Sequence, residues 1–120
     1  REKVVNFIRG EKLKGKKICG SGASTKGNTT LQYFGLGPEL ISRIGDKNPD
    51  KFGKMTVGSL IPIDSPEEID KLDPDYLFVL VWYFIEDIKR NHKDFLDEGG
   101  KLIVPLPIPR IISKNGETLL

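Results

Sequence analysis

The chain has 120 residues, of which 38% are hydrophobic and 30% are charged, and its formal net charge is +2. This composition excludes a disordered tail and predicts one soluble domain with a hydrophobic core. No apolar run reaches about 18 residues, so a membrane span is excluded, and the single cysteine, Cys19, leaves no internal disulfide and favours a cytoplasmic location.

The first predicted element is a short amphipathic helix over residues 1–13, and we expect residues 1–14 to form a linker helix. Residues 1–17 carry seven Lys or Arg against two Glu, and a basic segment of this kind can bind nucleic acid. Aromatic residues do not alternate with these lysines, so we favour a solvated helix and predict no nucleic-acid partner. The chain begins with Arg1, and we therefore expect it to be a piece of a longer protein.

Strand and helix patterns alternate after this helix, and we assign residues 15–120 to one domain. The elements predicted in chain order are a strand Lys17–Ser21, a helix Thr25–Phe34, a strand Leu40–Asp46, a polar turn to Gly53, a helix Pro66–Leu72 capped by Ser65 and Glu68, a strand Tyr76–Val81, a helix Phe84–Glu98, a strand within Gly99–Pro107 and an edge strand Arg110–Ser113. This order predicts an α/β fold with a mainly parallel sheet.

Three segments should meet at the carboxyl ends of the parallel strands, where such folds bind their ligands. They are the loop after the first strand, the turn after Asp46 and the residues after Val81. The sequence therefore predicts that any binding site lies at this edge of the sheet.

The glycine-rich loop GSGASTKGNTT, which begins at Gly20, follows the first strand directly. It fails the dinucleotide pattern G-x-G-x-x-G, because Thr25 stands at the third glycine, and the Walker pattern, because Asn28 stands at the lysine. Its glycines allow close backbone approach, and the following helix offers free N–H groups to an anion. The candidate phosphate-binding residues are Gly20, Gly22, Ser24, Thr25, Lys26 and Asn28. The alternative is a tight turn that holds no ligand.

Other candidates are weaker when each is considered alone. Asp46 stands where a dinucleotide-type fold places an acid for ribose hydroxyls, and Trp82 can either stack on a base or pack in the core. His92, the single histidine, falls on the apolar side of its predicted helix, so we interpret it as a packed or boundary residue. We predict no metal site, since one His and one Cys cannot build one, and we find no nucleophile–base pair. The residues indicate a binding site more clearly than a reaction centre.

Several segments together resemble the C-terminal domain of the S-adenosylmethionine-dependent sugar-nucleotide C-methyltransferases. They are GSGASTKGNT, the turn DKNPDKFG from Asp46 to Gly53, Ile61-Pro62, DPDY before the strand that ends near Trp82, and GGKLIVPLP from Gly99 to Pro107. The resemblance runs in order from about residue 10 to residue 107.

This resemblance implies a Rossmann-like three-layer sandwich that helps to hold a nucleotide-linked keto-deoxysugar, with Lys51 of the turn added to the candidate substrate-binding residues. It also implies that the parent protein has a zinc-binding and a methyltransferase domain upstream, and that the latter binds S-adenosylmethionine and methylates a ring carbon beside the ketone. We therefore expect no catalytic residue and no cofactor in this segment. Two alternatives are a free-standing module that binds a dinucleotide or CoA-type ligand, and a scaffold whose loop is empty.

Overall fold

Helices and strands alternate along most of the chain in the computed structural model, which describes residues 1–22, 25–80 and 85–120. The helices are α1 Glu2–Leu13, α2 Thr25–Phe34, α3 Pro66–Lys71, α4 Ile85–Asn91 and α5 Lys93–Asp97. The strands are β1 Ile18–Ser21, β2 Ile44–Gly45, β3 Ile63–Asp64, β4 Tyr76–Val79, β5 Lys101–Val104, β6 Arg110–Ser113 and β7 Gly116–Leu119. A one-turn 3₁₀ helix, Pro49–Lys51, follows β2.

The strands form one mixed sheet with the order β3-β2-β1-β4-β5-β6-β7 among the described residues. The strands β1 to β5 run parallel, and β6 and β7 are antiparallel additions at one side. The prediction of an α/β fold with a mainly parallel sheet is therefore confirmed. The strand order reverses between β1 and β4, and ligands bind to parallel sheets beside such a reversal.

Alternating strand residues build a separate core on each face of the sheet. Tyr76 and Phe78 of β4 pack with side chains of α1 and α2, whereas Leu77 and Val79 pack with α3, α4 and α5. This alternation follows from the two-residue repeat of a strand, and it explains why β4 is apolar throughout. Ser21 shares the face of Cys19, two residues earlier, and therefore lies on the side of α3, α4 and α5.

The N-terminal helix packs directly on the sheet. Val4 and Ile8 are fully buried in the core on that face, and the Tyr76 hydroxyl donates a hydrogen bond to Glu11 of α1. The boundary that we predicted after residue 14 stays a prediction. Within the described residues, no helix is long and apolar enough to cross a membrane.

Two predicted elements differ from the structure by more than a shift of one or two residues at an end. The second strand is only Ile44–Gly45, because the Leu40 and Ile41 amides both donate to the Gly37 carbonyl and reach the core from a turn. The helix predicted over residues 84–98 is two helices, α4 and α5. It breaks at His92, whose φ of −112° and ψ of 22° are not helical. Phe84, the predicted start, lies outside the described residues.

The predicted edge strand has a neighbour that the sequence did not reveal. β6 pairs with β7 from Arg110–Leu119 to Ser113–Gly116, so the outer strand on this side is β7. All four residues of β7 are exposed, so its side chains carry no alternating apolar pattern. β3 was also missed, because two residues paired through the backbone leave little signal in the sequence.

Candidate functional site

A cleft of about 520 Å³ opens at the carboxyl ends of β1 and β2, on the face covered by α3, α4 and α5. Its volume is in the range of small-molecule sites, and it lies beside the reversal of strand order. A smaller cavity of about 310 Å³ lies at the β6–β7 turn, away from this edge of the sheet. The position of the larger cleft is the one that the sequence predicted for a ligand.

The cleft has an apolar floor and an acidic rim. The floor and walls include Leu77 and Val79 of β4, Ile69 of α3, Ile88 of α4 and Phe95 of α5. The rim carries the carboxylates Asp46, Asp70, Asp87 and Asp94, and Lys47 is the only Lys or Arg among the described residues that line the cleft. Asp87 is paired with Arg90 one turn later on α4. This lining offers hydrogen-bond acceptors around a surface on which an apolar ring can lie.

Two glycines shape the mouth of the cleft at the end of β1. A side chain at Gly20 would place its Cβ 2.8 Å from Ile44 Cγ1, so β1 and β2 require a glycine there. Gly22 has a φ of +90° and donates a hydrogen bond to the Gly45 carbonyl at 2.8 Å. This left-handed conformation favours glycine, and it turns the chain out of the sheet toward α2.

Asp46 follows β2 and is held by its own turn. Its Oδ1 accepts a hydrogen bond from the Asn48 amide at 2.7 Å, and its Oδ2 lies 3.6 Å from Lys51 Nζ. The turn thus brings two predicted site residues together, Asp46 on the cleft and Lys51 behind it. This arrangement orients the carboxylate, as a ligand-binding acid requires.

A polar contact that the sequence did not predict joins β1 to the junction of α4 and α5. Ser21 Oγ lies 3.1 Å from His92 Nε2, and His92 Nδ1 lies 2.8 Å from the Ile88 carbonyl oxygen. Both Ser21 and His92 line the cleft. We found no nucleophile–base pair in the sequence, and the structure brings a serine hydroxyl and an imidazole within hydrogen-bond distance. The expectation that this segment has no catalytic residue stays a prediction.

No local signal could have found this contact. Its partners are 71 residues apart. The topology predicted only that the segment after β4 approaches the loop after β1.

The remaining predicted site residues are distributed as follows. Gly20, Gly22 and Asp46 line the cleft, whereas Asn28 is half-buried in the first turn of α2 and is not among the described lining residues. Ser24 and Trp82 lie outside the described residues, as do the side chains of Thr25 and Lys26. Ligand binding by all these residues stays a prediction.

Comparison with known proteins places the chain in a family. The profile of the family described as "C-methyltransferase C-terminal domain" matches residues 1–107. The chain belongs to this family. It is also 42% identical over 113 residues to "C-methyltransferase NovU" of Streptomyces niveus, and this match covers 94% of the chain but 27% of that relative.

Membership of the C-methyltransferase family confirms the resemblance that the sequence motifs indicated. The C-methyltransferase C-terminal domain thus spans about a quarter of the curated relative that it matches. This places the chain in a methyltransferase context, and it leaves most of the length of that relative outside the match.

Proposed function

We propose that this chain is the substrate-binding domain of a C-methyltransferase that acts on a nucleotide-linked keto-deoxysugar. The observation that carries the proposal is the cleft at the carboxyl ends of β1 and β2, in a chain of the C-methyltransferase C-terminal domain family. The apolar floor suits the face of a ring, and the oriented Asp46 carboxylate suits sugar hydroxyls. The strand order and the two helix-covered faces support a Rossmann-like three-layer sandwich.

In this proposal, the domain positions its substrate for a reaction that the rest of a longer cytoplasmic protein performs. The methyl donor, S-adenosylmethionine, supplies an activated methyl group when bound. We place its site, together with a zinc-binding domain, in the part of the protein that corresponds to the other three-quarters of the relative. The contribution of this chain is to hold and orient the substrate, which alone accelerates reactions strongly.

The alternative of a free-standing module for a dinucleotide or CoA-type ligand is not favoured. Most of the chain matches one part of a longer C-methyltransferase, which is the relation expected of a domain with a partner in the same protein. A titration nevertheless separates the two functions, because their ligands differ.

Calorimetric titration of the chain with UDP-glucose, TDP-glucose, NAD and CoA tests the proposal. We expect a nucleotide-sugar to bind at least about tenfold more tightly than NAD or CoA, a difference of about 1.4 kcal/mol. Asp46→Asn should weaken nucleotide-sugar binding about 3–10-fold, since hydrogen bonds to a charged acceptor are roughly twice as strong as neutral ones. Asp50→Asn is the matched control, because Asp50 is exposed in the same turn. Preference for NAD or CoA would refute the proposal.

A further inference from the structure

The hydrogen-bond directions of Ser21 and His92 can be assigned from their partners. The Ile88 carbonyl oxygen can only accept, so His92 Nδ1 carries a proton and donates to it at 2.8 Å. In the neutral imidazole, Nε2 is then an acceptor, and the Ser21 hydroxyl donates to it at 3.1 Å. In this neutral form, the Ser21 hydroxyl proton is engaged in the hydrogen bond to His92.

Ser21 Oγ can then accept a hydrogen bond from a ligand in the cleft but cannot donate one. The neighbouring carboxylates of Asp46, Asp70 and Asp94 also accept hydrogen bonds and donate none. These four side chains therefore suit a ligand group that donates hydrogen bonds, whereas Lys47 and Asn91, which also line the cleft, can donate to a ligand. Leu77 and Val79 form an apolar surface beneath them.

The surrounding backbone fits a nucleophilic role for Ser21 less well than a role in ligand recognition. Acyl transfer requires free N–H groups aimed at the developing oxyanion. The amides of Gly20, Gly22 and Leu80 donate instead to the carbonyls of Arg43, Gly45 and Ser21, at 2.8, 2.8 and 3.1 Å. Among the described residues that flank Ser21, these N–H groups are already used, so the pair is suited to recognition.

We infer that Ser21 and His92 form a recognition pair for a neutral, hydroxyl-bearing ring, with Ser21 Oγ accepting a hydrogen bond from a ring hydroxyl and His92 fixing that polarity. This inference rests on the proposed function, and it assigns the cleft to a sugar ring of the nucleotide-sugar and not to its diphosphate. The ring is either the ribose of the nucleoside or the hexose, since both combine hydroxyl donors with an apolar face.

Nitrogen NMR of the imidazole tests the assignment directly, because the chain has one histidine. The spectrum of the neutral ring should show the proton on Nδ1 and an unprotonated Nε2. Thymidine or methyl glucoside should shift the Nε2 resonance, and inorganic pyrophosphate should not. A shift with thymidine alone assigns the cleft to the nucleoside, and a shift with the glucoside alone assigns it to the hexose. A neutral ring with its proton on Nε2, or a shift with pyrophosphate alone, would overturn the inference.

Substitutions supply the second readout. Ser21→Ala should weaken TDP-glucose binding about 3–10-fold, the effect of one neutral hydrogen bond, and leave any pyrophosphate affinity unchanged. His92→Gln, which keeps an acceptor near Ser21, should weaken TDP-glucose binding less than His92→Ala. Ser113→Ala is the matched control, because Ser113 also ends a strand, β6, and lies outside the cleft.

The two proposals fail in different ways. If TDP-glucose and UDP-glucose bind the wild-type chain but Ser21→Ala and His92→Ala bind them equally well, the recognition pair is wrong and the proposed function stands. If neither nucleotide-sugar binds the wild-type chain, both are wrong. Amide NMR spectra of each variant confirm that a lost affinity is not a lost fold.

Discussion

The hydrogen bond between Tyr76 and Glu11 joins α1 to the first residue of β4, and Tyr76→Phe removes it with little other change. The Tyr76 hydroxyl donates to Glu11 Oε1 at 2.5 Å, and the tyrosine is 5% exposed. Phe7 packs edge-on against the same ring with centroids 5.4 Å apart, and a phenylalanine keeps that contact. The substitution therefore isolates one charge-assisted hydrogen bond.

We expect Tyr76→Phe to lower the free energy of unfolding by about 1.5–3 kcal/mol, the range for hydrogen bonds to charged groups. The Glu11 side chain is 13% exposed, so water replaces the lost partner poorly. At about 2.1 cal/mol/K per residue, a chain of 120 residues has an unfolding entropy of about 0.25 kcal/mol/K. The melting temperature should therefore fall by about 6–12 °C.

The stabilisation by this hydrogen bond should depend on pH, because both the Glu11 carboxyl and the Tyr76 hydroxyl can titrate. The Tyr76 hydroxyl lowers the pKa of Glu11 below its usual 4.5, so this stabilisation is present above that value and is lost as pH falls through the folded-state pKa. Burial, and then the bond to Glu11, raises the pKa of Tyr76 above its usual 10.0, so the stabilisation is complete below pH 10 and is lost only as pH rises through the raised value. The difference between wild type and Tyr76→Phe should be constant between about pH 5 and 9 and shrink below about pH 4.

Urea unfolding of wild type, Tyr76→Phe, Glu11→Gln and the double variant measures the coupling between the two side chains. Tyr33→Phe is the matched control, because Tyr33 is 56% exposed on α2, and it should change stability by less than about 0.5 kcal/mol. A coupling below about 0.5 kcal/mol at pH 7, or an unchanged difference at pH 3.5, would refute the reasoning.

Two further predictions concern β1. Gly20→Ala should destabilise the fold by about 1–3 kcal/mol in urea unfolding, because its Cβ would lie 2.8 Å from the fully buried Ile44. Gly10→Ala, in α1 with open space around its Cα, should instead stabilise it by up to about 1 kcal/mol, and equal effects of the two would contradict the packing argument. Burial raises the pKa of the Cys19 thiol, which is 1% exposed, so iodoacetamide at pH 8 should react at least about 100-fold more slowly in buffer than in urea. Comparable rates would show that β1 opens readily.

Much of the fold could be predicted because its signals are local. α2 begins and ends at the predicted residues, Thr25 and Phe34, with the glycine-rich loop before it and Gly35 after it. α3 begins after Ser65, whose hydroxyl accepts a hydrogen bond from the Glu68 amide at 3.2 Å, as predicted. The Ser65 amide donates to Asp64 and the Glu68 carboxylate pairs with Lys71, so the second half of the predicted capping box is not formed. Such signals depend on neighbours within a few residues, so one sequence is sufficient to read them.

The errors share a different origin. β3 exists because its backbone pairs with β2, and β7 exists because its backbone pairs with β6 in a hairpin. Their two and four residues need no apolar pattern to do so. Leu40 and Ile41 are apolar and buried, which is also true of strand residues, yet they lie in a turn. Burial is visible in the sequence, whereas backbone conformation at a buried site is decided by tertiary contacts.

The candidate site also has a part that the sequence predicted and a part that it did not. The order of the elements predicted the location of the site at one edge of the sheet, because parallel strands align their carboxyl ends. It also predicted three lining residues, Gly20, Gly22 and Asp46. The Ser21–His92 contact joins two side chains that are 71 residues apart, which no local propensity specifies. Sequence therefore predicts where a ligand should lie, and the structure is needed to say which side chains would face it.

The acidic rim limits the orientations in which a nucleotide-sugar would bind to this domain. A diphosphate within the cleft would face Asp46, Asp70 and Asp94 with Lys47 as the single described cation of the lining, and like charges at short range are unfavourable. The neutral rings face no such penalty. The diphosphate of a bound nucleotide-sugar should then lie outside the acidic cleft, on the side toward the segment after Gly22 where the sequence predicted a phosphate site. The sugar ring and the phosphates would thus contact different parts of the same edge of the sheet. Because Ser21 Oγ accepts hydrogen bonds when its proton is donated to His92, it would favour the hydroxyls of the ring over the phosphates.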